Sequence, residues 1–397
     1  MTEHAPATGP WRRRWSWLLP WGALFLVWLA FVRPLPRYDF RVFVDAGAKV
    51  LAGHDPYLPL TSHALYGGSA YVYPWLVAFP FVPFALLPAT SADLLFMVLS
   101  GAALIAACRL TGLRQPLLVA LVLLSQTSVR SFEVGSLNAW LFLACVLAWR
   151  YRERALRVAV ALTVAVGSKL FLLPLLGWLA ATRRWRALLL SCTGIALVIG
   201  VSTLFGPVSL PHYLTMLSVL GQHEGQQGLS LYHLLTQHLS GTAARVVCVG
   251  LAGALAGIGL AAVRRHHRRS DLLMFTCLLL AAMVLTPILW THYILLTFVP
   301  VLLAWPSRRI VALTSALSWL VVGIGLPWQV SVVLLHAAWV GLLVCLFRGA
   351  DGDSTIDLRE RPEPMGLRTG SSPVQPVHVL VSLPGGPLRR TDSRTTR

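Results

Sequence analysis

Carboxylates and lysines are scarce in this 397-residue chain, so the few that are present indicate where chemistry could occur. Asp39 begins a segment with apolar residues at helical spacing, and Lys169 stands between apolar residues in VAVGSKLFLLP. A carboxylate can take a proton from a hydroxyl group, and a cation in a partly dehydrated cleft can stabilise a departing phosphate. Both residues also have structural interpretations. Asp39 could cap its helix, and Lys169 could reach the headgroups or pair with an acid.

Further polar and aromatic side chains lie between the apolar runs and are candidates for binding a substrate. These candidates are Asp45, Tyr57, Tyr73, Glu133, Asn138, Ser230, Trp290 and His292. The pattern also allows structural roles for some of them, because a carboxylate inside a helix is often solvated or paired and tryptophan is enriched at membrane surfaces.

Spacing excludes two other kinds of site. The six cysteines lie in apolar stretches without CxxC or CxxH spacing, so we expect no disulfide framework and no metal site. No P-loop and no GxGxxG motif between a strand and a helix is present, so we expect no bound nucleotide and no cofactor.

The elements that must position these residues are membrane helices. Hydrophobic residues make up 56% of the chain and charged residues only 12%, and a soluble domain of this length could not bury so much apolar surface. The net charge of +18 would suggest nucleic acid in a soluble protein, but here the arginines separate long apolar runs. About twelve spans are predicted, at 15–32, 91–110, 116–130, 136–149, 155–168, 170–181, 187–205, 243–263, 271–286, 292–305, 309–326 and 330–347.

Orientation follows from the arginine clusters. The stretch 73–90 contains four prolines, which break a helix repeatedly. If this stretch does not cross the membrane, all the arginine clusters fall on the same side, whereas a crossing would put the later clusters on the other side. We therefore predict an all-α polytopic membrane protein of the plasma membrane, with both termini cytoplasmic and with juxtamembrane helices in the first outer loop. The acids, lysines and histidines outside the cytoplasmic segments then gather on the outer face. We expect a membrane domain over residues 1–348 and a disordered cytoplasmic tail over 349–397.

These residues together resemble glycosyltransferase family 87, whose members are integral-membrane enzymes of the GT-C type that use polyprenyl-phosphate-mannose. The family includes actinobacterial enzymes that add an α-1,2-linked mannose to phosphatidylinositol mannosides. The resemblance covers about residues 35–347. It is carried by Asp39-x-x-x-Phe43-x-x-x-Gly47, Gly53-x-Asp55-Pro56-Tyr57, Tyr73-Pro74, Gly135-x-x-Asn138, Lys169, Gly228-Leu229-Ser230-Leu231 and Pro287-x-x-Trp290-x-His292.

The resemblance implies a hexosyltransferase, most simply a mannosyltransferase of cell-envelope biosynthesis. It implies that Asp39 is the catalytic carboxylate and that Lys169 and His292 bind the donor phosphate. The partners it implies are a polyprenyl-phosphate sugar, a glycolipid or glycan acceptor and the bilayer, without nucleic acid. Ser136 and Leu229 stand where the family often has glutamines, which bears on substrate identity.

Three alternatives remain open from the sequence. The chain could be a transporter or flippase for a lipid-linked sugar, it could run the same chemistry with glucose or arabinose, or it could be a family member with only a binding role. The scarcity of acidic residues within the spans favours an enzyme over a transporter, because a transport path needs polar groups through the membrane.

Overall fold

The structure is a computed structural model that describes residues 20, 22–23, 26–30, 37–67, 70–225, 228–266 and 269–348. These residues divide between helices and connecting loops, and none of the described residues lies in a strand. The all-α prediction is therefore confirmed for this part of the chain. The predicted tail at 349–397 and most of the predicted first span at 15–32 lie outside the described residues.

Sixteen α-helices and four 3-10 helices have defined bounds in the described part of the chain. The α-helices are α1 Tyr38–Leu51, α2 Val82–Ala85, α3 Ala89–Leu110, α4 Pro116–Leu123, α5 Gln126–Val134, α6 Asn138–Arg150, α7 Ala155–Ser168, α8 Leu176–Ala181, α9 Trp185–Leu204, α10 Leu210–Glu224, α11 Leu231–Thr236, α12 Gly241–Arg264, α13 Ser270–Leu285, α14 Phe298–Ala304, α15 Arg308–Val322 and α16 Trp328–Arg348. The 3-10 helices are His63–Tyr66, Trp75–Phe81, Leu170–Leu175 and Thr291–Thr297.

Four of these helices, α3, α9, α12 and α16, are long and apolar enough to cross a membrane, and each begins and ends within about two residues of a predicted span. A fifth candidate is the pair α4 and α5, which together would make one span bent by 61°. The described residues thus contain four to five candidate spans, fewer than the twelve expected. Six further apolar helical segments of 10–17 residues coincide with other predicted spans or with the proline-rich stretch 73–90.

The shorter segments have identifiable causes in the sequence. Lys169 has an extended backbone and separates α7 from the following 3-10 helix, which contains Pro174. Ser125 interrupts the predicted span 116–130, because its hydroxyl accepts a hydrogen bond from Ser128 N–H and so begins a new helix. Hydropathy alone counts residues 116–130 as one span, whereas the backbone there forms the two shorter helices α4 and α5. The break at Lys169 coincides with the boundary between the predicted spans 155–168 and 170–181.

Helix α13 lies at the centre of the buried core. Its residues from Leu272 to Val284 are all buried, and it packs against α12 and against the 3-10 helix at Leu170–Leu175. A helix that is apolar on every face is stable only when other elements surround it. The segment that carries Lys169 is therefore held directly against the most buried helix of the described chain.

An ionic and aromatic cluster fixes the N-terminal end of α13. The guanidinium of Arg184 donates two hydrogen bonds of 2.9 Å to Asp271, and Arg152 Nε lies 3.1 Å from the same carboxylate. Arg184 also pairs with Glu153 at 2.9 Å, and the Trp178 indole donates to Asp271. Ion pairing with arginines therefore accounts for both acids, Glu153 and Asp271.

Candidate active site

Helix α1 is amphipathic, and its apolar face carries Asp39 against the rest of the fold. Phe40 stacks on Phe96 with ring centroids 4.2 Å apart, and Phe43 stacks on Phe81 at 4.5 Å. Because Asp39 is the neighbour of Phe40, these ring contacts fix the position of its carboxylate. Burying a phenylalanine side chain contributes about 1.5–3 kcal/mol, so the two anchors hold the helix firmly.

Two glycines allow this close packing. A Cβ at Gly135 would lie 2.6 Å from the Phe40 Cβ, and Gly135 ends α5 in the left-handed conformation, with φ of +71°. A Cβ at Gly47 would lie 2.8 Å from the Phe81 carbonyl carbon. A side chain at either position would push α1 away from its neighbours and move Asp39.

Asp39 is in the first turn of α1, whereas the N-cap position belongs to Arg37. The N-cap alternative for Asp39 is therefore wrong for this helix. Arg37 pairs instead with Asp93 at 2.9 Å and ties the start of α1 to α3. Asp39 is partly exposed as a residue, but protein surrounds its carboxylate. Burial raises the pKa of Asp39 to about 6, and the positive charge of Lys169 partly opposes this rise.

Lys169 is buried, with 7% of its surface exposed, at the break between α7 and the 3-10 helix. Its ammonium group lies 3.8 Å from the ring centroid of Tyr293 and 5.4 Å from that of Tyr73. The Tyr293 ring in turn stacks on Phe171 with centroids 5.2 Å apart. The Lys169 side chain thus lies among aromatic faces within electrostatic reach of Asp39, and in the described residues no ion pair within 4 Å neutralises it.

His292 and Asn138 are buried polar side chains with unused hydrogen-bonding capacity. The His292 ring contacts Tyr293 at 4.8 Å and lies within electrostatic reach of Lys169. No described residue bonds to its Nε2 or to either polar atom of the Asn138 amide. Buried polar groups are normally paired, so these atoms are available to a substrate or to water. The 3-10 helix that carries His292 packs against α5 and α6, and Asn138 is the first residue of α6.

Four of the other predicted binding residues, Tyr57, Ser230, Asp45 and Glu133, have hydrogen-bond or ion-pair partners within the protein. Tyr57 donates a 2.8 Å hydrogen bond to the Tyr73 carbonyl, and buried Ser230 donates to the Thr286 carbonyl at 3.3 Å. Trp290 is partly buried and precedes the 3-10 helix as its N-cap residue. The two acids form ion pairs on their own helices, Asp45 with Lys49 and Glu133 with Arg130. Only Tyr73 of this group contacts Lys169 directly.

Tyr293 and Glu224 lie at the site but were not predicted from the sequence. Tyr293 supplies the nearest aromatic face to Lys169, and Glu224 ends α10 within electrostatic reach of both Asp39 and Tyr293. Burial, together with the charge of Asp39, raises the pKa of Glu224. A signal for Tyr293 was present, since it directly follows His292. No signal in the sequence indicated Glu224 beyond its being one of the few acids outside the cytoplasmic segments.

The described chain contains no cluster of three or more His, Cys, Asp or Glu side chains that could hold a metal ion. The site therefore consists of a carboxylate, a lysine held between tyrosine rings and a buried histidine. This set can accept a proton at one point and stabilise negative charge at another.

Comparison with known protein families identifies the class of protein. The family model described as glycosyltransferase family 87 matches residues 71–291, more than half of the chain. The chain belongs to glycosyltransferase family 87. It is therefore a member of a family of membrane glycosyltransferases, and membership favours a transferase over the transporter alternative. The matched region includes Tyr73, Asn138 and Lys169, begins after Asp39 and ends one residue before His292. No curated protein and no solved structure matches the chain.

Proposed function

We propose that this glycosyltransferase moves a hexosyl group from a polyprenyl-phosphate donor to a glycolipid or glycan acceptor, and that the hexose is mannose. The observation that carries the proposal is Lys169, a buried ammonium group between the rings of Tyr73 and Tyr293 and within electrostatic reach of Asp39. A buried cation without an acidic partner in contact is costly, and an anionic ligand would compensate it.

The carboxylate of Asp39 is the general base in this proposal. It accepts the proton of an acceptor hydroxyl while that oxygen attacks the anomeric carbon, and the bond from this carbon to the phosphate oxygen breaks. The leaving group is the polyprenyl phosphate. A single displacement of this kind inverts the anomeric configuration. The raised pKa of Asp39, about 6, suits a group that must take up and release a proton near neutral pH.

Lys169 and His292 stabilise the leaving group in this proposal. The phosphate gains negative charge as the sugar bond breaks, and the Lys169 ammonium group is already fixed in a site that excludes much of the water. The His292 Nε2 has no partner in the described chain and is free to contact a phosphate oxygen. A fixed cation replaces the metal ion that nucleotide-sugar enzymes use, so we propose a reaction without metal.

The membrane arrangement is part of the same proposal. Five of the six shorter apolar segments cross the bilayer beside the longer spans, whereas Trp75–Ala85 lies at its outer surface. Together with the four long helices and the bent pair they make ten passages, and the predicted spans 15–32 and 309–326 would bring the number to twelve. Both termini are cytoplasmic, and the site with Asp39 faces the outer side of the plasma membrane. The charge pattern of the sequence supports this orientation. The resemblance to the enzymes that extend phosphatidylinositol mannosides supports a glycolipid acceptor.

The testing experiment uses the purified protein in liposomes with a membrane glycolipid extract as acceptor. Each vesicle preparation contains one donor: polyprenyl-phosphate-mannose, polyprenyl-phosphate-glucose, polyprenyl-phosphate-arabinose or GDP-mannose. We expect transfer from a polyprenyl-phosphate donor only, with chelator present throughout. Transfer from GDP-mannose alone would contradict the proposed donor class. Transfer of glucose or arabinose in place of mannose would contradict mannose as the transferred sugar but leave the donor class unchanged.

The chain offers a matched control for Lys169, because its only other lysine is Lys49. Lys49 pairs with Asp45 on the exposed side of α1. We expect Lys169→Met to lower transfer by at least 100-fold and Lys49→Met to leave it within twofold. Equal effects of the two substitutions would remove Lys169 from the donor site.

A further inference from the structure

A second groove lies beside the candidate active site and has no part in the proposed transfer. It has a volume of about 350 Å³ and is bounded by α10, α11, α12 and the segment that follows α13. Its lining includes Ser218, Gln222, Tyr232, Arg245, Val249 and Pro287. Grooves of this size commonly hold small ligands or parts of larger ones.

The polar groups of this groove are suited to an anion. Arg245 is exposed, and its guanidinium lies 5.9 Å from the Tyr232 ring centroid. No acidic side chain pairs with Arg245 in the described residues. The Ser218 hydroxyl and the Gln222 amide lie on the facing helix α10 and add hydrogen-bonding groups. A cation with neutral donors around it binds a phosphate, because charge-assisted hydrogen bonds from arginine to phosphate are strong.

The position of Arg245 along α12 places it at headgroup depth. Helix α12 has 24 residues and is one of the four helices long enough to cross the membrane. At 1.5 Å per residue it is roughly 36 Å long, which exceeds a hydrocarbon core of about 30 Å. Arg245 is four residues from the start of the helix, about 6 Å from its end. The apolar side of the groove at Val249 lies one turn deeper, where an acyl chain would begin.

The groove also borders the wall of the candidate active site. A Cβ at Gly221 would lie 3.1 Å from Pro287 Cγ, and one at Gly225 would lie 2.7 Å from the Pro287 carbonyl oxygen. Glu224, between these glycines, is within electrostatic reach of Asp39. A ligand in the groove therefore contacts Pro287 and the end of α10 that carries Glu224.

We propose that this groove binds the headgroup of an anionic phospholipid, with Arg245 contacting the phosphate and Val249 beside the first acyl methylenes. The lipid would act as a structural partner that supports α10 and Pro287. This binding is independent of the sugar and the acceptor used in transfer, so its test does not depend on the proposed function.

The test measures lipid retained by the full chain. The protein is reconstituted in nanodiscs of phosphatidylcholine with 30% phosphatidylglycerol, transferred to mild detergent, and studied by native mass spectrometry. We expect the wild type to retain phosphatidylglycerol and Arg245→Gln to retain roughly fivefold less, since one arginine near an anionic surface contributes about that factor. The control is Arg264→Gln, which removes an exposed arginine from the other end of the same helix. Equal losses in the two variants would show diffuse attraction and overturn the proposal.

Two further arms test where the lipid lies and whether the ligand is a lipid at all. Val249→Phe keeps Arg245 but fills the apolar end of the groove at an exposed position, so it should also reduce retention without affecting folding. Unchanged retention in Val249→Phe would contradict the proposed placement of the lipid. Inorganic phosphate or glycerol-3-phosphate at 10 mM should not displace the lipid. Displacement by either would show a site for a free phosphate compound instead.

Discussion

The carboxylate of Asp39 should make the folded protein less stable at neutral pH, and Asp39→Asn should relieve this cost. Burial raises the pKa of Asp39 from 3.8 to about 6. A shift of this size corresponds to a penalty of about 3 kcal/mol on the ionised folded state. The side chain is partly exposed, so solvent screening reduces the expected gain to about 1–3 kcal/mol.

The sign of the pH dependence follows from the direction of the shift. A carboxyl group with a higher pKa in the folded than in the unfolded chain destabilises the fold once the pH exceeds 3.8, and the penalty is complete above about 6. The advantage of Asp39→Asn over the wild type should therefore be largest at pH 7. It should be about half as large at pH 5 and disappear as the pH approaches 3.8.

The assay is thermal unfolding of the purified protein in one detergent at pH 7 and pH 5, with Glu153→Gln as the control. Glu153 is an exposed acid that pairs with Arg184. We expect a higher Tm for Asp39→Asn at pH 7, a smaller increase at pH 5, and no increase for the control at either pH. A lower Tm for Asp39→Asn at pH 7 would refute the reasoning, because it would mean that the charged carboxylate stabilises the fold.

Three further outcomes are expected. The transfer rate of the wild type should fall as the pH is lowered through about 6, because protonated Asp39 cannot accept a proton, and a rate profile from pH 5 to 8 measures this. Gly135→Ala should destabilise the protein by about 1–3 kcal/mol because of its positive φ and its contact with α1, whereas Gly250→Ala, with nothing within 4 Å, should be neutral or slightly stabilising in thermal unfolding. Asp271→Asn should cost about 1–3 kcal/mol by removing the carboxylate that Arg184 contacts, while the transfer rate per folded molecule stays unchanged.

The sequence was informative where a residue is costly in its surroundings. A lysine among apolar residues is expensive, so Lys169 could be selected from the sequence, and the structure places its ammonium group against Tyr293. The amphipathic spacing after Asp39 likewise predicted a helix that begins at Asp39 and ends before Gly53, and α1 extends over Tyr38–Leu51. The ends of the four long apolar helices were predicted to within about two residues, because a continuous apolar run of about 20 residues has few other interpretations.

The sequence was less informative where three-dimensional packing decides. The predicted count of about twelve spans is not confirmed, because several apolar runs form helices of only 10–17 residues and the cap at Ser125 divides the predicted span 116–130 into two helices. Tyr293 and Glu224 were missed because their relevance arises only from proximity to Lys169 and Asp39. An aromatic ring or an acid in a loop has many possible roles, and no local pattern separates them.

The central claim is that Asp39 accepts the acceptor proton during transfer from a polyprenyl-phosphate donor. The most direct test is a single-turnover measurement in liposomes with enzyme in excess over polyprenyl-phosphate-mannose, comparing the wild type with Asp39→Asn. The account predicts that the variant is folded, binds the donor, and transfers sugar at least 100-fold more slowly, as expected when a general base is removed. A folded variant that transfers within a few-fold of the wild-type rate would contradict the claim.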